Sequence, residues 1–470
     1  MLELGYVHLR YCPSACGENL FWGEMGSLGM KVSVVGLGKL GACMAAAMAS
    51  RGLEVVGVDT VNSVVESINA GRSPVTEVGL EEVIAANRER LKATTDIEAA
   101  VAASDVTFII VPTPSEPNGA FSLRFAAQAA EGIGRALAKK NSYHLVVLSS
   151  TVMPGASDSH IIPVLEAESG KRQGRDFGFC YSPEFIALGS VIRDFLSPDF
   201  VLIGEADSRA GRLLESLYAE ILLKPAPIAR MSCANAELTK IAVNTYVTMK
   251  ISFANTIAEM CQRLPGGDVD AVTAALGLDS RIGGRYLTGA VGYGGPCFPR
   301  DNLALSQFAR SVGVEPLLAE STDAVNRRRS NELIELVSGE IGPDATVAVL
   351  GLSYKPGTDV VDESQGISLA KVLAGRGNRV LVHDPLALDR ARNELGSSVD
   401  YCASVESALA DASAVVIANP EKSYAGLGQL LSKRSQPLVV LDCWRILKDR
   451  PANANVRYRA VGVAQAETAS

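Results

Sequence analysis

The chain has only four histidines and two tryptophans, and no two of its cysteines stand at CxxC spacing. So few imidazoles leave little for a His-based catalytic site or a His-rich metal centre, and no metal is expected. The nine cysteines (Cys12, Cys16, Cys43, Cys180, Cys233, Cys261, Cys297, Cys402 and Cys443) are odd in number and scattered. That distribution suits reduced thiols in a cytoplasmic protein better than a disulfide frame. No apolar run approaches the roughly 20 residues needed to span a membrane, so no membrane partner is expected. Basic excess is missing too. A formal net charge of −8 argues against a nucleic-acid partner. A phosphate-bearing small molecule stays open, because helix N-termini and a few placed cations bind phosphate locally.

What is present fits a globular enzyme: 47% apolar and 20% charged residues over 470 positions, enough for two or three domains. Residues 1–29 carry Glu3, Pro13 and several glycines, without a basic stretch leading into a clean apolar core. They do not read as a signal peptide and are expected to be a disordered extension. From Met30 onward short β-rich runs alternate with helical stretches. Strands are predicted at Met30–Val35, Leu53–Val58, Val106–Val111, Leu145–Leu148, Phe177–Tyr181 and Phe200–Ile203. This alternation predicts a largely parallel sheet covered on both faces. Ser232 to Arg263 then runs without Gly or Pro and stops at Leu264-Pro265-Gly266-Gly267, which predicts one long helix capped by Ser232. A second α/β unit opens at Ala345, with strands at Thr346–Leu350 and Arg379–Val382 around a helix at Ile367–Ala374. The stretch Ala374–Leu381 faintly echoes Ala49–Val56, as two doubly wound domains would. The expected architecture is two Rossmann-like domains joined by a helical middle, divided as 30–228, 229–340 and 341–455, with a tail at 456–470.

Val35 is followed by Gly36-Leu37-Gly38-Lys39-Leu40-Gly41, a G-x-G-x-x-G between a predicted strand and a predicted helix. Gly36 permits the tight turn, Gly38 lets a pyrophosphate approach the backbone, and Gly41 lets helix and strand pack closely. Asp59 ends the next strand, where its carboxylate would accept from ribose hydroxyls and repel a 2′-phosphate. NAD is therefore favoured over NADP; the motif alone leaves FAD as a rival.

The most informative stretch is Gly292-Tyr293-Gly294-Gly295-Pro296-Cys297-Phe298-Pro299-Arg300-Asp301. Glycines and prolines fix a tight backbone around one thiol, and nearby cations would favour its thiolate. An inert buried thiol is the ordinary fate of a lone cysteine. Here the surroundings argue otherwise. The stretch resembles the Gly-Phe/Tyr-Gly-Gly-Ser-Cys-Phe-Pro-Lys-Asp signature of the UDP-glucose/GDP-mannose dehydrogenase family. The resemblance runs from Met30 to about Arg445 and rests on further motifs in the family's order. Val111-Pro112-Thr113-Pro114 resembles its V-x-T-P loop, and Ser150-Thr151-Val152 with Pro154-Gly155 resembles S-T-V-x-x-G. Ser182-Pro183-Glu184-Phe185 resembles N-P-E-F. Glu237, Lys240 and Asn244 fit E-x-x-K-x-x-x-N, and Gly351-Leu352-Ser353-Tyr354-Lys355 with Thr358-Asp359 fits G-L-x-F-K-x-x-T-D.

The resemblance implies four-electron oxidation of a nucleotide sugar's C6 alcohol through a cysteine-bound thioester, with NAD as cofactor and a homodimer as the working form. It implies Cys297 as nucleophile, Lys240 and Asn244 on the reacting oxygen, and Asp301 positioning a water and acting as base with Lys240. Glu184 becomes the base for thioester hydrolysis and Thr151 orders the water, also lying with Thr113 and Pro114 in the cofactor site beside Lys39 and Leu40. Phe185, Ile186, Tyr286, Gly294 and Lys355 fall to the substrate, as does Arg281, which would reach a neighbouring subunit's sugar site. The helical middle would carry the dimer contact, and 341–455 the nucleotide sugar.

Three departures stand out. Ile186-Ala187-Leu188-Gly189 replaces L-x-E-G, removing a carboxylate near the sugar. Asp362 stands where the family carries an arginine near the cofactor. Asp442-Cys443-Trp444-Arg445 fits the family's Asp-x-Arg pattern only in part. Pro296, in place of a histidine found in N-acetylhexosamine enzymes, and the Arg281-to-Leu287 lead-in favour UDP-glucose, with GDP-mannose as runner-up. A hydroxyacid-type dehydrogenase needs no catalytic cysteine, and a non-catalytic scaffold would bind without turnover. Those are the two competing classes.

Overall fold

The computed structural model describes residues 29–342, 344–448 and 453–464. The expected disorder over 1–29 falls outside these, apart from Gly29. Among the described residues fourteen strands form two sheets. The first holds β1 (Lys31–Val35), β2 (Glu54–Val58), β3 (Leu91–Thr94), β4 (Val106–Ile109), β5 (Leu145–Leu148), β6 (Gly178–Tyr181), β7 (Val201–Glu205) and β8 (Ile228–Met231). The second holds β9 (Thr346–Leu350), β10 (Arg379–His383), β11 (Asp400–Tyr401), β12 (Ala414–Ile417), β13 (Leu438–Asp442) and β14 (Val456–Ala460). Their orders are β3-β2-β1-β4-β5-β6-β7-β8 and β11-β10-β9-β12-β13-β14, so both share the doubly wound 3-2-1-4-5-6 arrangement. Every pairing is parallel except β6 with β7, where Cys180 faces Glu205. Central strands such as Val106–Ile109 and Leu145–Leu148 are buried at every position, as expected of strands covered on both faces.

Each sheet turns from its first strand into a helix through a left-handed glycine, Gly36 (φ 98°) in one and Gly351 (φ 98°) in the other. Each first helix also starts against that glycine. A Cβ on Gly41 would meet the Gly36 carbonyl at 1.9 Å, and one on Gly366 would meet the Gly351 carbonyl at 2.0 Å. The sequence echo thus reflects two copies of one turn geometry.

Six strands escaped the sequence pattern: β3, β8, β11, β12, β13 and β14. The two in the first sheet did so for one reason. Both β3 and β8 lie at sheet edges, carry Lys92 and Arg230, and are only partly buried, so they lack the continuous apolar run of a central strand. The first sheet therefore extends to Met231, past the expected boundary at 228. The expected tail is corrected as well: Val456–Ala460 adds an edge strand beside β13, with Leu438 opposite Val456. Its alternating Val-Arg-Tyr-Arg-Ala sequence suits a strand with one wet face, and Arg457 and Arg459 both pair with Glu340 at 3.0 and 2.8 Å.

Between the sheets lies the helix Cys233–Arg263, 31 residues and about 46 Å long at 1.5 Å per residue. The Ser232 hydroxyl caps it by accepting from the Asn235 amide. Its buried face mixes apolar Ala236, Ile241, Ala254 and Ala258 with polar Glu237, Lys240, Thr245, Thr248, Ser252 and Asn255, the polar ones three to five residues apart. A helix so placed serves a site as well as a core. Arg445 locks the third domain onto this middle. Its guanidinium grips Asp270 through two 2.9 Å bonds and donates to the Thr288, Gly289 and Val461 carbonyls. The partial motif at Asp442–Arg445 therefore makes a domain joint. No helix among the described residues is long and apolar enough to cross a membrane.

Candidate active site

The glycine turn fits a dinucleotide. A Cβ on Gly36 would lie 2.3 Å from the Ile110 carbonyl, whereas one on Gly38 would meet nothing within 4 Å. Gly38 caps the helix Lys39–Ser50 without a side-chain hydrogen bond, so no capping side chain occupies the N-terminus where a diphosphate would bind. Asp59 accepts from the Leu37 amide at 2.8 Å and the Val61 amide at 3.0 Å, which pins its carboxylate at the end of β2 beside the turn. Two adjacent strand-end loops are tied together here. The Ser150 hydroxyl donates to the Val111 carbonyl at 2.7 Å, and that of Thr113 donates to the Thr151 carbonyl at 2.7 Å. Thr113, Pro114 and Thr151 consequently share one rim of the cleft.

Glu237 anchors that rim to the long helix. Its carboxylate accepts from the Gly155 and Ser157 amides at 2.5 and 2.8 Å. One turn further along, Lys240 is buried and donates to the Glu184 carbonyl at 2.7 Å, its ammonium 4.7 Å from the centre of the Phe185 ring. Burial lowers its pKa, opposed by Asp301, Cys297 and Glu184. Another turn on, the Asn244 amide donates to Asp301 at 2.6 Å. Asp301 is fully buried, and the Arg300 guanidinium lies 3.4 Å from its other oxygen.

Cys297 caps the helix Phe298–Ser311, with Pro299 in the first turn. Its backbone comes through a passage only glycine fits: a Cβ on Gly294 would sit 2.1 Å from the Glu363 carbonyl, and one on Gly295 (φ 85°) would strike the Tyr354 ring. The thiol stays accessible. Burial within the packed cleft and the nearby Asp301 push its pKa up, while Arg300, Lys240 and Lys355 pull it down. The upward influences outweigh the cations, so the thiol stands above its ordinary range, against the expectation that the cations favour thiolate. Glu184 completes the cluster. Its carboxylate accepts from the Tyr218 hydroxyl at 3.1 Å, and burial pushes its pKa up to about 7 against that bond and the Lys240 charge.

A nucleotide cradle, an accessible thiol, a buried lysine and a near-neutral carboxyl on one cleft narrow the choice of chemistry. Known proteins narrow it further. Residues 30–222 match the NAD-binding domain of the UDP-glucose/GDP-mannose dehydrogenase family, 234–328 its central domain and 348–449 its UDP-binding domain. The chain belongs to that family. This dehydrogenase is 36% identical over 415 residues to UDP-glucose 6-dehydrogenase AglM of Haloferax volcanii, covering 87% of this chain and 96% of that one. To the GDP-mannose 6-dehydrogenase of Azotobacter vinelandii it is 33% identical over 431 residues, 91% and 95% of the two chains. A UDP-glucose dehydrogenase structure from Pyrobaculum islandicum superposes with a TM-score of 0.85 at 38% identity, covering 94% of this chain and 99% of that one. The cofactor is NAD and the substrate class is a nucleotide sugar.

Other expected residues of this dehydrogenase fall in three places. Lys355 joins the cluster from the third domain, close enough to act on the Cys297 charge, with its own pKa lowered by burial. Tyr286, in a left-handed conformation (φ 66°), packs edge-on against Phe298 beside the thiol. Arg281 is not brought there. Its guanidinium is exposed on a surface turn and paired with Asp279 at 2.6 Å. Ile186 and Leu188 pack against the core of the first domain, so the chain uses apolar contacts where the family carries a carboxylate. Leu40 also packs on that core, and Lys39 pairs with Asp359 of the third domain at 2.7 Å. Sequence reading missed Tyr218. It sits in an ordinary amphipathic helix, Ser208–Ile221, and only the fold carries its hydroxyl to Glu184 and Ser182.

Proposed function

We propose that this dehydrogenase oxidises UDP-glucose to UDP-glucuronate in the cytoplasm, and that Cys297 carries the intermediate. The observation behind this is the one accessible thiol among the described residues, flanked by Lys240, the Asn244–Asp301 pair and Glu184. NAD, held at the Gly36–Gly41 turn and Asp59, would supply the hydride acceptor for both oxidations. Lys240, with Asp301 as joint base, takes up the C6 hydroxyl proton; burial lowers the Lys240 pKa and so eases the loss of its own proton that must come first. The resulting aldehyde is captured by the Cys297 sulfur, whose proton passes to the carbonyl oxygen to give a thiohemiacetal. Lys240 and the second N–H of Asn244 stabilise charge on that oxygen, the first N–H being held by Asp301. After the second oxidation Glu184, with water ordered by Thr151, assists attack on the thioester. The carbon–sulfur bond breaks, the thiol regains a proton, and uronate leaves.

UDP-glucose is favoured over GDP-mannose by the Arg281–Leu287 lead-in and by the 38% identical structural neighbour named as a UDP-glucose dehydrogenase, and over an N-acetylhexosamine by Pro296. The decisive assay offers UDP-glucose, GDP-mannose and UDP-N-acetylglucosamine separately and follows absorbance at about 340 nm. Two NADH per UDP-glucose are expected; reduction of NAD with GDP-mannose alone would replace this substrate with the runner-up. A homodimer through the long helix accompanies the reading. Tyr246, Phe253 and Met260 recur every seven residues on its outer face and are each at least half exposed. Such a stripe suits a partner helix, and would give exposed Arg281 a neighbouring site to enter. Light scattering at the 49.4 kDa of one chain would remove the dimer.

The carboxyl of Glu184 also sets a pH dependence. A base whose pKa is raised to about 7 is protonated below that value and active above it. Under conditions where thioester hydrolysis limits turnover, kcat should rise through an apparent pKa of about 7. Glu184→Gln should flatten this limb and let labelled sugar accumulate on Cys297. A limb that survives in the Gln variant would assign it to another group.

A further inference from the structure

The glycine turn carries one side-chain cation, Lys39, and it is already engaged. Its ammonium lies 2.7 Å from one oxygen of Asp359, in the loop that follows β9. The second oxygen of that carboxylate meets Arg390, on the helix Leu388–Leu395, also at 2.7 Å. Lys39 and Asp359 are each about three-quarters buried, while Arg390 is half exposed. Arg390 also lines an open cleft of about 1240 Å³ together with Ser115 and Arg300 from the first and middle domains and Asp362 from its own.

The charges decide what this chain of contacts can do. Lys39 and Asp359 alone cancel, which would leave a dianionic diphosphate at the open face of Gly38 with helix amides and no net side-chain charge. Arg390 restores one positive charge and keeps spare N–H donors, since only Nε is committed to Asp359. We infer that Arg390 binds the diphosphate of the dinucleotide from the third domain, with Asp359 as the positioning carboxylate that holds Arg390 and Lys39 together across the cleft. This gives the third domain a hold on NAD as well as on the nucleotide sugar. It rests on the NAD cofactor, not on the choice of sugar.

The test is NADH binding by intact protein, read by fluorescence or calorimetry, without turnover. Arg390→Ala should raise the Kd for NADH about tenfold, the loss of a charge-assisted contact, and should flatten its salt dependence. Arg390→Lys should recover part of it. AMP, which lacks the diphosphate, should bind wild type and variant alike. Adding Asp359→Asn to Arg390→Ala should restore affinity, because the carboxylate no longer opposes the phosphates. NADH affinity within twofold of wild type in Arg390→Ala would overturn the assignment. So would a double variant no better than the single one, which would leave only a structural ion pair.

Discussion

Cys297→Ala is expected to form no uronate above about one part in 10⁴ of the wild-type rate, the scale on which a covalent nucleophile is missed. The sugar aldehyde has nowhere else to be held. Among the described residues the other free cysteines, Cys43, Cys180, Cys233, Cys261, Cys402 and Cys443, are buried, and none has Lys240 and Asp301 beside it. Two measurements separate loss of chemistry from loss of fold. NADH per sugar should fall from two to at most one, and a carbonyl trap should collect any aldehyde that escapes. Calorimetric binding of the nucleotide sugar should persist, because the turn is shaped by Gly294, Gly295 and the Asn326 contacts to Tyr293, which the substitution leaves alone. Since burial and Asp301 hold the thiol above the usual cysteine range, alkylation of wild-type Cys297 should quicken as pH rises. Full turnover by the Ala variant would return the protein to hydroxyacid-type chemistry without a covalent step.

Much of this molecule is legible in its sequence because its two sheets announce themselves at their first turns. The β1 and β9 runs are apolar, their glycines must be glycine, and the strands around them are buried on both faces. Legibility fades towards the edges of the first sheet and through the later strands of the second, where even the buried β12 and β13 went unread. Lys92 in β3, Arg230 in β8 and the arginines of β14 read as loop until a sheet edge is there to receive them. The site divides similarly. Lys240 and Asn244 share a helix face by spacing, but the Asn244–Asp301 bond spans 57 residues and the Tyr218–Glu184 bond 34, and both depend on packing. A helix interior gives no local sign that its tyrosine will meet a carboxyl. The net influence on the thiol is hidden for a related reason: Arg300 is visible beside Cys297 in sequence, whereas the burial that outweighs it is a property of the assembled cleft.

Replacing Lys240 by methionine tests the other half of the chemistry. Methionine keeps the unbranched stem and its contact with Phe185 while deleting the ammonium, so the fold should tolerate it. Turnover should fall about 10²- to 10³-fold, the usual cost of removing one donor from a developing oxyanion. A second effect distinguishes this from simple loss of a hydrogen bond. The Lys240 charge now lowers the pKa of Glu184 against the burial that raises it. With that charge gone, the carboxyl must be harder to ionise, so the acid limb of kcat should move from about 7 to higher pH. Arginine should not substitute: it keeps the charge, but a planar fork does not reproduce the compact ammonium that Lys240 places 2.7 Å from the Glu184 carbonyl and 4.7 Å from the Phe185 ring centre. A methionine variant retaining a tenth of wild-type kcat, with its acid limb unmoved, would take Lys240 out of the chemistry and leave it as a strut between the long helix and the Glu184 loop.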